Sequence, residues 1–98
     1  MGLRDDASLL ILTSLAGGPK HGYAMIEDIA SITGMRLGPG TLYGAIGRLE
    51  AEGMIEALES DDRRRPYQIT PQGLRQLEAE IGGMKGLIAT GLRRVKRA

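Results

Sequence analysis

Between Leu37 and Thr70 the chain runs through a glycine-proline loop, a short amphipathic segment and two β-leaning stretches that flank three consecutive arginines. No other part of the sequence restricts the fold as much. The spacing predicts a helix over 41–52, with Leu42, Ala45, Ile46 and Leu49 on one face and Tyr43, Gly44, Gly47 and Arg48 on the other. Gly53 ends it. Residues 55–59 and 66–70 have strand character, and the polar run from Ser60 to Arg65 reads as the tip of a hairpin. Pro66 is expected in an edge strand, where its missing N–H breaks no ladder. A helix with small outward side chains suits a major groove, and a basic hairpin beside it reaches phosphates.

The flanking segments supply the scaffold. A first helix is expected over 6–16, capped by Asp5 or Asp6, with Leu9, Leu12 and Leu15 on one face, Ile11 beside them, and Gly17-Gly18-Pro19 as the stop. Ile26, Ile29 and Ala30 recur at helical spacing in a second helix over 22–32, which Gly34 closes. After the hairpin, Thr70 and Pro71 form a helix start, and Leu74, Leu77, Ile81, Met84, Ile88 and Val95 follow at spacings of three, four and seven. One small core cannot cover so long a seam, so a second copy is expected to pack against it, with Leu9 and Leu12 of the first helix contributing. Gly82, Gly83, Gly86 and Gly91 weaken this last helix by about 1 kcal/mol each relative to alanine; close helix approach or a bend would account for them.

Composition excludes most competing chemistry. Thirteen basic residues oppose 12 acidic ones for a net charge of +1, so any affinity for a polyanion must come from where the charges sit. With no cysteine and one histidine, the chain has no thiolate nucleophile, disulfide or histidine-rich metal site, and no paired carboxylates suggest catalysis; no metal, cofactor or enzymatic activity is expected. The longest apolar run, Leu9 to Leu12, is too short for a membrane span or a signal-peptide core, so a soluble cytoplasmic protein is expected. Asp6 stands where a myristoylation pattern needs serine or threonine. At 98 residues the chain reads as one domain: 1–70 forms the DNA-binding unit and 71–98 a dimerisation helix continuous with it.

Four local words bring in a resemblance. They are His21-Gly22-Tyr23, then Gly40-Thr41-Leu42-Tyr43, then Leu49-Glu50 with Gly53-Met54-Ile55, and lastly Tyr67-Gln68-Ile69-Thr70 with Gly73. In this order and spacing they resemble the PadR family of transcriptional regulators. The resemblance implies a mainly α winged helix-turn-helix with a small β-hairpin, and a short branch of the family whose carboxy-terminal helix pairs subunits. Two departures touch the DNA-facing side: Gly44 stands where the family commonly has proline, and the wing tip is shorter and richer in arginine. Some relatives bind planar aromatic effectors between aromatic side chains at the dimer interface. This chain has no Trp or Phe and three Tyr, which leaves a small-molecule effector without support in the sequence. The Asp-x-Arg of the wing is also similar to MarR regulators, whose long amino-terminal dimer helix is missing here.

The expected contacts to double-stranded DNA are Thr41, Tyr43, Gly44 and Arg48 on the third helix, Arg63, Arg64 and Arg65 in the wing, and Lys20 or His21 at the start of the second helix. Each has a structural alternative: Tyr43 packing over the helix pair, Arg48 pairing with Glu52, the wing arginines merely solvated, and His21 as a helix cap, its favoured role; Asp61 and Asp62 either brace and aim the arginines or cap the turn. The expected pairing residues are Leu9, Leu12, Leu77, Ile81, Met84 and Ile88. A homodimeric repressor on an inverted repeat follows, with reading helices roughly 34 Å apart. A winged helix that binds only protein partners is the alternative from another class.

Overall fold

A computed structural model of the chain describes residues 7–61 and 63–98. The expected caps Asp5 and Asp6, and the brace Asp62, lie outside the described residues. Four helices and three strands follow in the order α1 (Ala7–Ala16), β1 (Lys20–His21), α2 (Gly22–Thr33), α3 (Pro39–Ala51), β2 (Ile55–Ala57), β3 (Pro66–Ile69) and α4 (Pro71–Arg97).

The core is built around α1. Expected as a helix with one apolar face, it is instead enclosed on most sides, with Ala7, Ile11, Leu12, Ser14 and Leu15 all buried. The cause is that α2, α3, β3 and the start of α4 all pack on it. Met25, Ile26 and Ile29 of α2, Leu37 ahead of α3, Leu42, Ala45, Ile46 and Leu49 of α3, Ile55 of β2 and Leu77 of α4 complete the core. Each fully buried aliphatic side chain of this kind contributes about 1.5–3 kcal/mol. Ser14 is the one buried polar side chain among the described residues, and its hydroxyl donates to Asp28 Oδ2 at 2.7 Å.

The strands form one antiparallel sheet in the order β1-β3-β2. Ile55 pairs with Ile69 and Ala57 with Tyr67 to make the hairpin, while Lys20 pairs with Tyr67 and His21 with Pro66 on the other side. Pro66 is therefore in the central strand and not on an edge as expected. It is tolerated because it is the first residue of β3, where the missing N–H interrupts nothing, and its carbonyl still accepts from Leu58 N at 2.9 Å.

Helix α4 leaves the core after two turns. Gly73 and Leu77 are its buried residues, whereas Ile81, Ile88, Leu92 and Val95 are 41%, 58%, 62% and 72% exposed. At 27 residues it extends for roughly 40 Å, which gives the molecule a longest dimension of 57 Å against 26 and 20 Å. Two expected pairing residues need correction. Leu12 and Leu77 are 2% and 5% exposed, so the protomer's own core already encloses them and they have no surface left for a second copy. Leu9 and Met84 keep part of theirs. A Cβ added at Gly82, Gly83, Gly86 or Gly91 would meet nothing within 4 Å, so no close helix approach inside the protomer explains these glycines.

Candidate nucleic-acid interface

Helix α3 begins at Gly38, whose carbonyl accepts from Leu42 N at 3.0 Å, and Pro39 occupies its first turn. It ends where Glu52 N donates to Arg48 O at 3.0 Å and Gly53 takes φ +76°, a left-handed turn that suits glycine. Its inward face is the one expected. Thr41, Tyr43, Gly44, Gly47 and Arg48 all lie on the exposed side. Gly40, Gly44, Gly47 and Ala51 recur at i, i+4, i+7 and i+11, a stripe almost bare of side chains, with Tyr43 along one flank and Arg48 along the other. A would-be Cβ at Gly40 or Gly47 meets nothing within 4 Å. The stripe lets the helix axis approach a base-pair edge closely while two longer side chains reach past it.

Among the described residues Arg48 has no ion-pair partner, so the alternative of a pair with Glu52 is not formed. Tyr43 packs over the start of α2 and still keeps an exposed side chain. Its phenol lies over Gly22, where an added Cβ would fall 2.5 Å from the hydroxyl, yet the side chain is 54% exposed. Gly22→Ala should therefore displace the Tyr43 ring and press on the buried Leu42 side chain, whose Cδ2 would lie 3.2 Å from the added Cβ. Thermal melting should show a loss of about 1 kcal/mol of stability, because the flexible ring can swing aside while Leu42 must give by a few tenths of an ångström. Duplex affinity should fall as far as in Tyr43→Ala, by about 1–2 kcal/mol in an anisotropy titration.

His21 caps α2, its Nδ1 accepting from Ala24 N at 3.3 Å. The structural role favoured for it is the one it has. Lys20 departs from expectation. Its ammonium turns toward the end of α1, donating to Ser14 O at 2.5 Å and Gly18 O at 3.1 Å, with Asp28 Oδ2 at 3.9 Å. Carbonyls at a helix C-terminus carry partial negative charge, and an amine held among them is not offered to phosphate. Lys20→Met should lower stability by about 1 kcal/mol in urea titration while leaving the salt dependence of duplex binding unchanged.

The wing arginines complete the surface. Arg63, Arg64 and Arg65 are exposed and, among the described residues, have no ion-pair partner. Together with His21, Tyr23, Tyr43 and Tyr67 they line a cleft of about 370 Å³ between α3 and the hairpin. It gathers all three tyrosines of the chain and, among the described residues, no carboxylate. A larger concavity of about 570 Å³ on the hairpin is bordered by Glu59 and Asp61 as well as Arg63 and Arg65, and its carboxylates disfavour a phosphate chain. The smaller cleft is the better seat for a polyanion. Burial raises the Tyr67 phenol above its usual range, with Glu50 adding to the shift, Arg65 opposing it and Tyr43 adding again. Beyond this surface, on the outer side of α2, the Arg36 guanidinium bonded to Glu27 holds that carboxyl below its usual range.

Sequence reasoning found α3 and the wing but missed β1, which fixes the wing against the start of α2. Two residues carry no periodicity, and the only signal was the pairing opportunity offered by residues 66–67. Among the described residues no three His, Asp or Glu side chains are grouped to hold a metal, and no helix is long and apolar enough to cross a membrane.

Residues 11–79 match the family described as Transcriptional regulator PadR-like family. Over 73 residues the chain is 41% identical to Transcriptional regulator Rv3488 of Mycobacterium tuberculosis, covering 71% of this chain and 67% of that protein. Over 83 residues, 85% of its length, it is 48% identical to an uncharacterized 37.1 kDa protein in transposon TN4556 of Streptomyces fradiae, of which it spans 24%. The structure of a transcriptional regulator from Clostridium thermocellum superimposes with a TM-score of 0.81 at 27% identity, covering 94% of this chain and 91% of that one.

Proposed function

The chain belongs to the PadR-like family of transcriptional regulators, and from that premise we propose that it binds operator DNA as a homodimer and represses by occluding the promoter. Family membership makes it a regulator and not an enzyme, and decides between the PadR and MarR resemblances. The observation that carries the DNA reading is the coincidence on one side of the molecule of the bare α3 stripe and the cleft lined by Arg63, Arg64 and Arg65. Thr41, Tyr43 and Arg48 contact the major groove and its edges, and Arg63, Arg64 and Arg65 hold the adjacent backbone. The apolar flank of α4 from Ile81 to Val95 supports pairing with a second copy, since an exposed stripe of this length is unfavourable in water. Two α3 helices then meet an inverted repeat whose half-sites lie about one helical turn apart.

The reading is tested by recovering bound sequences from a pool of randomised duplexes and measuring their affinity. An inverted repeat should be enriched, and Tyr43→Ala and Arg48→Ala should weaken binding while sedimentation still shows dimers. A winged helix dedicated to protein partners would enrich no sequence and show no salt-sensitive duplex binding.

A further inference from the structure

Thr70 joins the end of α3 to the start of α4 through one hydroxyl. Its Oγ1 donates to Gly53 O at 2.6 Å and accepts from Gly73 N at 3.0 Å, while its own N donates to Met54 O at 3.0 Å. On the α3 side the chain of bonds continues, Met54 N donating to Leu49 O at 2.9 Å and Glu52 N to Arg48 O at 3.0 Å. On the α4 side Gly73 leaves no room between the elements: an added Cβ would run into the Met54 carbonyl and the Ile69 side chain. Gln72 Nε2 adds a bond to Glu52 O at 3.4 Å.

A cap alone needs only an acceptor for the first N–H groups of α4. The hydroxyl of Thr70 does more, because its donated bond ties that cap to the turn that ends the DNA-facing helix. The angle between α3 and α4 is thereby set at a joint of a few backbone groups, and α4 acts as a lever. From Thr70 to Ile88 the lever is roughly 27 Å long, so a tilt of only about 7° moves its far end by about 3.4 Å, one base-pair step.

Resting on the reading that α3 contacts the duplex and α4 pairs two copies, we propose that Thr70 is a positioning residue that sets which half-site spacing the dimer accepts. It touches no base. It fixes how the two α3 helices are presented to each other across the dimer.

Substitution separates this role from capping. Thr70→Asp keeps a good N-cap for α4, but an ionised carboxylate has no proton to donate to Gly53 O. Thr70→Ser keeps both bonds. Each full-length chain is offered a pool of randomised duplexes, and half-site sequence and spacer length are read from the bound fraction. Wild type and Thr70→Ser should select one half-site at one spacing. Thr70→Asp should select the same half-site over several spacings, bind the wild-type operator about tenfold more weakly, and bind a duplex with a single half-site within about twofold of wild type. Circular dichroism and sedimentation of Thr70→Asp should match wild type; if that variant does not fold, Thr70→Ala serves with the same expectation. Retention of a single spacing without the bridging hydroxyl, or an equal loss on single half-sites, overturns the proposal. If wild type itself selects no paired half-sites, the DNA reading fails, and the role of Thr70 falls with it.

Discussion

Replacing Ile88 by lysine should give a folded protomer that no longer pairs. Ile88 is 58% exposed and lies beyond the last contact of α4 with the core, so the substitution leaves the packing around α1 untouched. In a dimer the side chain is buried twice, once per copy. Losing two such burials removes roughly 3–6 kcal/mol, and a buried ammonium adds to the cost, which together raise the dimer dissociation constant by at least two to four decades. Sedimentation should show monomers at concentrations where wild type is dimeric. The second half of α4 should also lose amide protection, because an isolated helix carrying Gly82, Gly83, Gly86 and Gly91 is marginal in water. Leu77→Lys, by contrast, should unfold the protein, since Leu77 is part of the protomer core. If the Ile88→Lys variant sediments as wild type does, the pairing surface lies elsewhere.

Replacing Arg63, Arg64 and Arg65 together by alanine should produce the largest loss of duplex affinity. Each arginine that neutralises a phosphate contributes a slope of about 0.9 to the dependence of log affinity on log salt, so the triple variant should flatten that slope by up to about 2.7 per subunit. Extrapolated to physiological salt, the same term corresponds to a drop of order 100-fold per subunit. Melting should barely change, as the three side chains are exposed and unpaired among the described residues. A triple variant with the wild-type salt slope would remove the wing from the interface and leave α3 alone.

The parts of the fold visible in the sequence were those set by local periodicity. Leu42, Ala45, Ile46 and Leu49 declare the inner face of α3 because burial and helical period coincide there, and Thr70 with Pro71 marks the start of α4 because capping is a local hydrogen bond. What escaped depends on contacts distant in sequence. Lys20 looks like a free cation in a linear reading, but the chain folds it back over the end of α1, where Ser14, Gly18 and Asp28 converge. Leu12 and Leu77 belong to apolar patterns that continue into exposed residues, and periodicity alone does not say where the core stops and an open flank begins. The bond from Thr70 to the Gly53 carbonyl spans 17 residues, and nothing near Thr70 announces it.

The central claim is that two copies, paired along α4, hold their α3 helices one turn of duplex apart. The chain has no cysteine, so Gly47→Cys introduces a single labelling site on the exposed stripe of α3, at a position where an added side chain meets nothing within 4 Å. Pulsed dipolar spectroscopy of the spin-labelled protein, free of DNA, should give one distance distribution centred near 34 Å, broadened by several ångströms of label linker. No dipolar coupling, or a distribution centred below about 25 Å or above about 45 Å, would contradict it, for two such helices do not reach successive major grooves on one face of a duplex.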